Sequence, residues 1–220
     1  MVKLSPSTIK LFLECPRCFW QHINKNIHRP RGIFPSLPGG MDGVIKKYYD
    51  LYRQKGELPP EIKGAVSGKL LDNEDLLREW RNNRKGISYI DTELDAILMG
   101  ALDDCLVEEN KFIPLDYKTR GYELKSDTTS YYQHQLDIYC YLLYKNGYDT
   151  ADYAYLVFYY PKAVRENGYV DFITSVQKIN TSLDRANKLF TDAVNCLKVP
   201  EPKSHSECEY CNWGSESFGD

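Results

Sequence analysis

Residues 100–119 have the sequence GALDDCLVEENKFIPLDYKT, from which the centre of the sheet can be predicted. Its parts ALDDCLVEEN (101–110) and KFIPLDYKT (111–119) are short β-prone segments that meet at a Glu-Asn dipeptide. Asn favours tight turns, so the two segments are predicted to form an antiparallel hairpin. The preceding ISYIDTELDAILMG (87–100) is predicted to be one further strand.

Helical and extended segments alternate on both sides of this stretch. Downstream, the pattern predicts a helix over 128–145, strands over 152–160 and 169–176, and a helix over 180–198. Upstream, it predicts a helical turn over 5–14, a Pro/Gly-rich connector that is not regular helix over 29–40, a helix over 41–54, a loop over 57–75 and a short helix over 74–83. This order predicts an α/β fold with a mixed sheet flanked by helices.

The composition is that of a globular protein. The chain has 220 residues, of which 42% are hydrophobic and 27% charged, so it can bury a core. Its 28 lysines and arginines and 31 acidic residues give a net charge of −3, which excludes a simple polycation that coats nucleic acid. Because it has neither an apolar run of about 20 residues nor a signal-peptide core, we expect a soluble cytoplasmic protein without a membrane partner.

Asp103, Asp116 and Lys118 are the first candidate site. The predicted hairpin can bring the two aspartates side by side, and Mg²⁺ or Mn²⁺ prefers such oxygen ligands. Lys118 follows Asp116 by two residues, so both side chains leave the strand on one face. An ammonium group there can orient a water molecule or offset charge on a phosphate. Asp-x-Lys triplets are also common on solvated strands, and that reading stays open.

Gln135 and Tyr139 are four residues apart on the next predicted helix, so they share one of its faces. The Gln amide can hold a water molecule or a phosphate oxygen, and the Tyr hydroxyl can donate a hydrogen bond. An ordinary tyrosine-rich core helix would give the same pattern. The spacing alone does not separate these two interpretations.

The order of these motifs resembles the PD-(D/E)XK nuclease superfamily, especially its RecB-like branch. That branch has a Gly-x-x-Asp, an Asp/Glu-x-Lys and a Gln-x-x-x-Tyr, which correspond here to GALD (100–103), DYK (116–118) and QLDIY (135–139). The opening SPSTIKLFLECPRCFW (5–20) is similar to the Cys-Pro segment that begins such domains. The resemblance spans about residues 4–213.

The resemblance implies a restriction-endonuclease-like core and a Mg²⁺- or Mn²⁺-dependent nuclease that hydrolyses DNA phosphodiester bonds. Asp103 and Asp116 would bind the metal, and Lys118 would activate water. Gln135 and Tyr139 would contact DNA and support the site. Members of the RecB-like branch often process DNA ends, so the resemblance favours an exonuclease of repair, recombination or defence.

One departure concerns the first core helix, where many RecB-like members have a metal-binding His. The chain has GGMDGVIKKYYD (39–50) there, without a histidine. Asp42 can take that place as a metal ligand, or it can be an N-terminal helix cap. Asp50 is a further candidate ligand. The departure also keeps open a second function, a catalytically inactive nucleic-acid-binding or assembly module of the same fold.

Four of the seven cysteines form two Cys-x-x-Cys pairs: Cys15, Cys18, Cys208 and Cys211. Each pair has the spacing at which two thiolates bind one metal. In the resembled AddB-type and CRISPR-adaptation nucleases, terminal cysteines hold a [4Fe–4S] cluster, usually with one early and three late ligands. The two-and-two arrangement here keeps structural Zn²⁺ open, as well as four unligated thiols or a thiol redox site at the first pair.

A shared cysteine site requires both ends of the chain to meet. We therefore expect a single domain over 1–220, with its core over about 41–198 and the cysteine site formed by the terminal segments 1–40 and 199–220. The other three cysteines are predicted to be buried small apolar side chains: Cys105, Cys140 and Cys196.

Basic and aromatic residues cluster near the start of the chain. They could form a path for DNA phosphates and stack on a base, or they could belong to an ordinary solvated surface. They are Arg17, Phe19, Trp20, Lys25, His28, Arg29 and Arg31.

Overall fold

The computed structural model describes residues 1–30, 32 and 36–212, and its fold is the predicted α/β arrangement of mixed sheets and flanking helices. Within these residues the strands are β1 (Val2–Leu4), β2 (Lys69–Leu70), β3 (Ile87–Asp91), β4 (Ala96–Gly100), β5 (Asp104–Glu108), β6 (Lys111–Thr119), β7 (Tyr153–Val164) and β8 (Val170–Asn180). The helices are α1 (Pro6–Glu14), α2 (Pro16–Asn24), α3 (Ser36–Gln54), α4 (Glu74–Trp80), α5 (Gln133–Lys145) and α6 (Leu183–Leu197), with a short 3-10 helix over Thr128–Tyr132. None of the described helices is long and apolar enough to cross a membrane.

The predicted hairpin is confirmed as β5 and β6. Glu109 and Asn110 connect the strands with φ angles of 48° and 66°, the left-handed conformation of a two-residue turn whose twist matches that of the strands. Asp104, the first residue of β5, lies opposite Leu115 of β6. The residues just before β5 therefore lie beside residues 116–118.

The prediction of one strand over 87–100 is wrong, because the chain reverses direction within it. β3 and β4 pair in antiparallel fashion, and Asp95 in the connecting turn has a φ of 54°. Asp91 closes this turn, since its Oδ1 accepts hydrogen bonds from the backbone N–H groups of Glu93 and Leu94 at 3.1 and 2.9 Å. Such side-chain-to-backbone bonds are typical of aspartate at turns.

The strands form two sheets. One has the order β1-β4-β3 and the other the order β2-β5-β6-β7-β8. In each sheet one pair is parallel, β1 with β4 and β6 with β7, and the rest are antiparallel. The short strands β1 and β2 were not predicted, because three and two residues are too few to show alternation.

Helix α5 makes the crossover between the parallel strands β6 and β7, as such a pair requires. It packs on one face of the five-stranded sheet, and α3 packs on the other. Along β7, Leu156 faces α5 and Val157 faces α3. Along β6, Tyr117 faces α3, so its neighbours Asp116 and Lys118 face α5.

Helix α3 begins five residues earlier than predicted, which corrects the interpretation of residues 29–40 as a connector without regular helix. Its first residue is Ser36, and Pro38 lies in its first turn. A proline is tolerated there because its missing N–H would have no partner in the helix. Beyond the end of α3, Gly56 has a φ of 68°, consistent with the predicted helix stop.

The other predicted helices and strands are present with small shifts of their ends. The predicted loop over 57–75 contains β2, which pairs with β5. The predicted helix over 128–145 consists of the short 3-10 helix followed by α5. Helix α2 was not predicted, although Pro16 at its first position is a common helix start.

Candidate active site and four-cysteine site

Asp116 and Lys118 lie on β6 beneath α5. The Asp116 residue is only 1% exposed, and its Oδ2 lies 2.5 Å from the Lys118 Nζ. Lys118 is the cationic partner of this buried oxygen, and no other described residue donates a hydrogen bond to it. A buried carboxylate with a single cationic partner can still serve as a ligand for a hard cation.

Asp103 lies directly before β5 rather than within the hairpin arm where it was predicted. Its Oδ2 accepts a hydrogen bond from the Tyr117 backbone N–H at 3.2 Å. Because Tyr117 adjoins Asp116 and Lys118, this bond fixes the Asp103 carboxylate at the same end of the sheet. The structure thus brings the three predicted residues together.

The charges at this end of the sheet influence one another. Burial raises the pKa of Asp116; Lys118 opposes this change and Asp103 adds to it, so the pKa is about 7. Burial lowers the pKa of Lys118, but the Asp116 and Asp103 carboxylates outweigh burial and raise it. Lys118 is therefore an ammonium group at neutral pH, whereas Asp116 can hold a proton.

Asp42 lies inside α3, so the prediction that it caps the helix is wrong. Its Oδ2 is 2.8 Å from the Nζ of Lys46, and the same Nζ is 2.8 Å from the Asp103 Oδ1. Lys46 is thus a residue of the site that sequence reasoning missed. Asp50, the other candidate ligand on this helix, instead pairs with Arg81 at 2.8 Å.

Gln135 and Tyr139 contact each other on α5, where the Gln135 Nε2 donates to the Tyr139 hydroxyl at 2.7 Å. Burial, and then the Asp116 and Asp103 charges, raise the pKa of Tyr139 well above its ordinary value. Tyr139 is also part of the main hydrophobic core. The core and site interpretations are therefore compatible for this residue.

Gly100 gives α5 room to approach β4. A Cβ atom at this position would lie 3.0 Å from the Tyr139 Cε1 and 3.1 Å from the Leu142 Cδ1. Both neighbours are buried side chains of the core. The glycine of the Gly-x-x-Asp motif therefore allows close helix-strand packing beside the site.

A further acidic residue, Asp104, lies under the site, and the sequence did not predict its role. It is fully buried, and its carboxylate accepts hydrogen bonds from Arg53, Arg81 and the Tyr117 hydroxyl. The Arg81 Nε also donates to the Asp103 backbone carbonyl at 2.6 Å. This network holds the start of β5 against α3. The sequence shows only two consecutive aspartates, and it does not indicate which of them belongs to the site and which to the buried network.

Tyr132, at the end of the short 3-10 helix, is a further neighbour of the site. The Lys118 Nζ lies 4.9 Å from the centre of its ring, within the range of a cation–π contact. The ring also packs edge-on against Phe158 in the core. Tyr132 therefore offers the Lys118 ammonium a contact in addition to its ion pair with Asp116.

The two cysteine pairs meet, as predicted, and join the N- and C-terminal segments. Their ligand atoms all lie within 4.8 Å of one another: Cys15, Cys18, Cys208 and Cys211. Three pairs of sulfur atoms are 3.8, 3.6 and 3.5 Å apart. Burial raises the pKa of Cys15, but hydrogen bonds with the Cys18 backbone and other neighbours lower it to about 7. The lowered pKa of Cys15 favours a thiolate, the form that binds metals, whereas burial raises the pKa of Cys18 and of Cys211.

The Arg29 guanidinium lies against this cysteine site. Its Nη2 is 3.7 Å from the Cys208 Sγ, its Nη1 is 2.5 Å from Glu14, and its Cζ lies 4.6 Å from the centre of the Tyr210 ring. The positive charge can offset the negative charge of four thiolates around a metal.

The other basic and aromatic residues near the start attach the C-terminal segment to α2. Arg17 and Lys25 both pair with Glu201 at 2.8 Å, and the Trp20 Nε1 donates to the Val199 carbonyl at 2.9 Å. These contacts give the three residues a structural role, and a DNA path along the group stays a prediction. The remaining members of the group are Phe19, which is buried, His28, which contacts His22, and Arg31, which lies outside the described residues.

The three isolated cysteines are apolar core residues, as predicted. Cys105 and Cys140 are fully buried, and Cys196 is half-buried against the main core. All three are free thiols.

The fold and the site together define a class of protein: an α/β domain with two carboxylates and a lysine at one end of a β-hairpin. The family model of the PD-(D/E)XK nuclease superfamily matches residues 44–215. The chain belongs to this superfamily, whose members are typically nucleases. A comparison with curated proteins gave no match. The finer similarity to the RecB-like branch and to AddB-type domains stays a prediction.

Proposed function

We propose that this protein is a Mg²⁺- or Mn²⁺-dependent nuclease that hydrolyses DNA phosphodiester bonds. The observation that supports this most directly is the convergence of Asp103, Asp116 and Lys118 at one end of the sheet. The buried Asp116 carboxylate, whose Oδ2 has Lys118 as its cationic partner, fits a ligand for a hard cation. Superfamily membership supports the same chemistry.

In this proposal Asp103 and Asp116 hold the divalent metal through carboxylate oxygens. When bound, the metal supplies a polarised water and offsets negative charge on the phosphate. Asp103 keeps its orientation through the hydrogen bond from the Tyr117 backbone N–H. Asp116 is buried, and its ion pair with Lys118 fixes the position of its carboxylate.

Lys118 acts as a charged donor. Because its pKa is raised, the ammonium form persists at neutral pH, so it orients the attacking water or a phosphate oxygen and does not remove a proton. The Tyr132 ring limits the directions that the ammonium group can take. Gln135 and Tyr139, joined by their hydrogen bond, are proposed to contact the DNA backbone and support the site.

A cleavage assay tests this function. Purified full-length protein is incubated with end-labelled single-stranded DNA, double-stranded DNA and RNA, with Mg²⁺, Mn²⁺ or EDTA. We expect metal-dependent DNA cleavage that Asp116→Asn and Lys118→Met each reduce about a hundredfold or more.

The matched controls are Asp75→Asn and Lys111→Met, which change exposed residues and should cleave like the wild type. Absence of cleavage by the metal-supplied protein, or equal cleavage by Asp116→Asn, would contradict the proposal. Release of mononucleotides would identify the exonuclease that the RecB-like resemblance favours.

A second candidate function is a catalytically inactive nucleic-acid-binding or assembly module. It is favoured by Lys46, whose ammonium group already neutralises the Asp103 carboxylate. It predicts DNA binding that weakens with salt and no cleavage with either metal. The same assay, combined with a binding titration at several salt concentrations, distinguishes the two functions.

The four cysteines are proposed to hold a structural metal that joins the two ends of the chain. Around a tetrahedral Zn²⁺ at about 2.3 Å from each thiolate, the sulfur atoms lie about 3.8 Å apart. The three sulfur separations of 3.5–3.8 Å fit this geometry. In a [4Fe–4S] cluster each cysteine binds a different iron, so the sulfur atoms lie further apart. The spacing therefore favours Zn²⁺ over the iron–sulfur cluster that the family resemblance suggests.

Metal analysis and an absorption spectrum of anaerobically purified protein test this assignment. We expect one equivalent of zinc, little iron and no visible iron–sulfur absorption. A brown protein with about four irons per chain would instead support a [4Fe–4S] cluster at the four cysteines. A protein without metal whose first cysteine pair forms a reversible disulfide would instead support a thiol redox site.

A further inference from the structure

The Lys46 ammonium group lies between two carboxylates of the candidate site. Its Nζ is 2.8 Å from the Asp103 Oδ1 and 2.8 Å from the Asp42 Oδ2, and its side chain is 21% exposed. Asp42 and Lys46 are four residues apart on α3, so they share a face of the helix. The site therefore already contains a cation bound to an oxygen of a proposed metal ligand.

The body of α3 around Lys46 is held firmly against the sheet. Tyr49, one turn further along, is fully buried, and its hydroxyl lies 3.0 Å from the Tyr159 hydroxyl. Its ring centre also lies 4.6 Å from that of Tyr117. The Lys46 backbone is thus fixed, while its four-carbon side chain leaves the ammonium group free to move.

We propose that Lys46 is an internal cation that holds Asp103 and Asp42 in the metal-free protein and competes with the divalent metal for Asp103. The inference rests on the proposed function, since it takes Asp103 as a metal ligand. An ammonium group and a hard cation bind the same carboxylate oxygens, so one must leave before the other can bind with full strength. Metal binding frees the ammonium group from Asp103, while Asp42, at the same distance, keeps it near the site. Lys46 thereby raises the metal concentration that the site requires.

The charges of the surrounding residues support this role. Asp42, Asp103 and Asp116 carry three carboxylates, and Lys46 and Lys118 carry two ammonium groups. Lys118 pairs with Asp116, which leaves Lys46 to neutralise Asp103 and Asp42. Removing the Lys46 charge would leave these two carboxylates without their shared cation, and their attraction for a divalent ion would increase.

Mn²⁺ binding to the full-length protein tests the proposal without relying on activity. MnCl₂ is titrated into the full-length protein as purified, and free Mn²⁺ is followed by electron paramagnetic resonance. We expect Lys46→Met to lower the Mn²⁺ Kd about tenfold or more, because one positive charge next to the ligands is lost. Lys46→Arg, which keeps the charge, should bind Mn²⁺ like the wild type.

Lys47→Met is the matched control. Lys47 is the next residue on the helix and is exposed, with no ion pair among the residues that the structure describes, so its Kd should not change. If Lys46→Met does not fold, Lys46→Gln gives the same comparison. An unchanged Kd in the neutral Lys46 variant would overturn the proposal. A higher Kd would also overturn it, since Lys46 would then support metal binding.

Asp116→Asn separates this inference from the proposed function. If Asp116→Asn weakens Mn²⁺ binding while Lys46→Met leaves it unchanged, Lys46 does not compete with the metal, and the proposed metal site is still supported. If Asp116→Asn binds Mn²⁺ as the wild type does, the proposed metal site itself fails.

Discussion

Asp103 and Asp104 are consecutive in the chain, but their carboxylates belong to different interactions. Asp103 accepts the Tyr117 backbone N–H and pairs with Lys46 at the candidate site. Asp104 is fully buried and pairs with Arg53 at 2.6 Å. Asp103 lies in the bend before β5 and Asp104 is the first residue of the strand, so one aspartate serves the site and the other the core.

We expect this difference to separate stability from activity. Asp104→Asn should lower the free energy of unfolding by about 3–5 kcal/mol, because it leaves buried arginines without their charge partner. Asp103→Asn should lower it by less, about 1–2 kcal/mol, because the amide oxygen can still accept the Tyr117 N–H, while abolishing cleavage. Urea denaturation and the cleavage assay on both variants check the prediction. Equal destabilisation by the two variants would show that Asp103 is also structural.

The pKa of Asp116 predicts how the stability of the metal-free protein depends on pH. Its pKa is about 7 in the folded protein, against an ordinary value of 3.8. Between these values the unfolded chain loses the proton while the folded protein keeps it, so the free energy of unfolding should fall as the pH rises from about 4 to 7. Below this range Asp116 is protonated in both states, so it does not change the free energy of unfolding.

Asp116→Asn should remove this part of the pH dependence. Denaturation of the wild type and the variant without added divalent metal, at pH 5 and at pH 8, measures it. We expect the stability advantage of Asp116→Asn to be larger at pH 8. Asp75→Asn, which changes an exposed aspartate, should follow the wild type at both values. A constant difference between wild type and Asp116→Asn would contradict the raised pKa.

Gly100 and Gly43 should respond in opposite ways to an added methyl group. Gly100→Ala places a Cβ 3.0 Å from the Tyr139 ring, so we expect a loss of about 1–3 kcal/mol and lower activity as the ring moves. Gly43 lies on α3 with nothing within 4 Å of an added Cβ, so Gly43→Ala should stabilise by up to about 1 kcal/mol. Thermal denaturation compares the two, and a neutral Gly100→Ala would show that α5 can shift.

Cys208→Ser should remove the structural metal, whereas Cys196→Ser should not. Cys208 belongs to the group of four thiols, and Cys196 packs alone against the core. We expect Cys208→Ser to lose most of its bound metal and about 3–5 kcal/mol of stability, because metal binding and folding are coupled. Elemental analysis and urea denaturation provide the test. Full metal content in Cys208→Ser would rule out a four-cysteine site.

Local sequence predicted those parts of the fold that depend on near neighbours. The turn at Glu109 and Asn110 requires φ angles that Asn adopts more readily than most residues, so the hairpin could be recognised from the sequence. Lys118 shares a strand face with Asp116 because side chains alternate. Proline and glycine misled the prediction at residues 36–40, where the first turn of a helix tolerates both.

Interactions between distant residues could not be predicted in the same way. The sequence contains Asp103 and Asp104 as an undifferentiated pair, and only the packing of α3 and α4 against β5 brings Arg53 and Arg81 to Asp104. Lys46 was missed because nothing near it in the sequence indicates a carboxylate more than fifty residues away.

Strand alternation, helix periodicity and turn preferences act over a few residues, so the hairpin, the helix that follows it and the residues able to bind a metal can be recognised from the amino-acid sequence. The packing of distant elements selects the carboxylates that remain available to a metal. That choice depends on which cation each carboxylate meets: Lys46 at Asp103, Lys118 at Asp116 and two arginines at Asp104. Burial strengthens these pairings, and burial exists only once the helices have packed on the sheet.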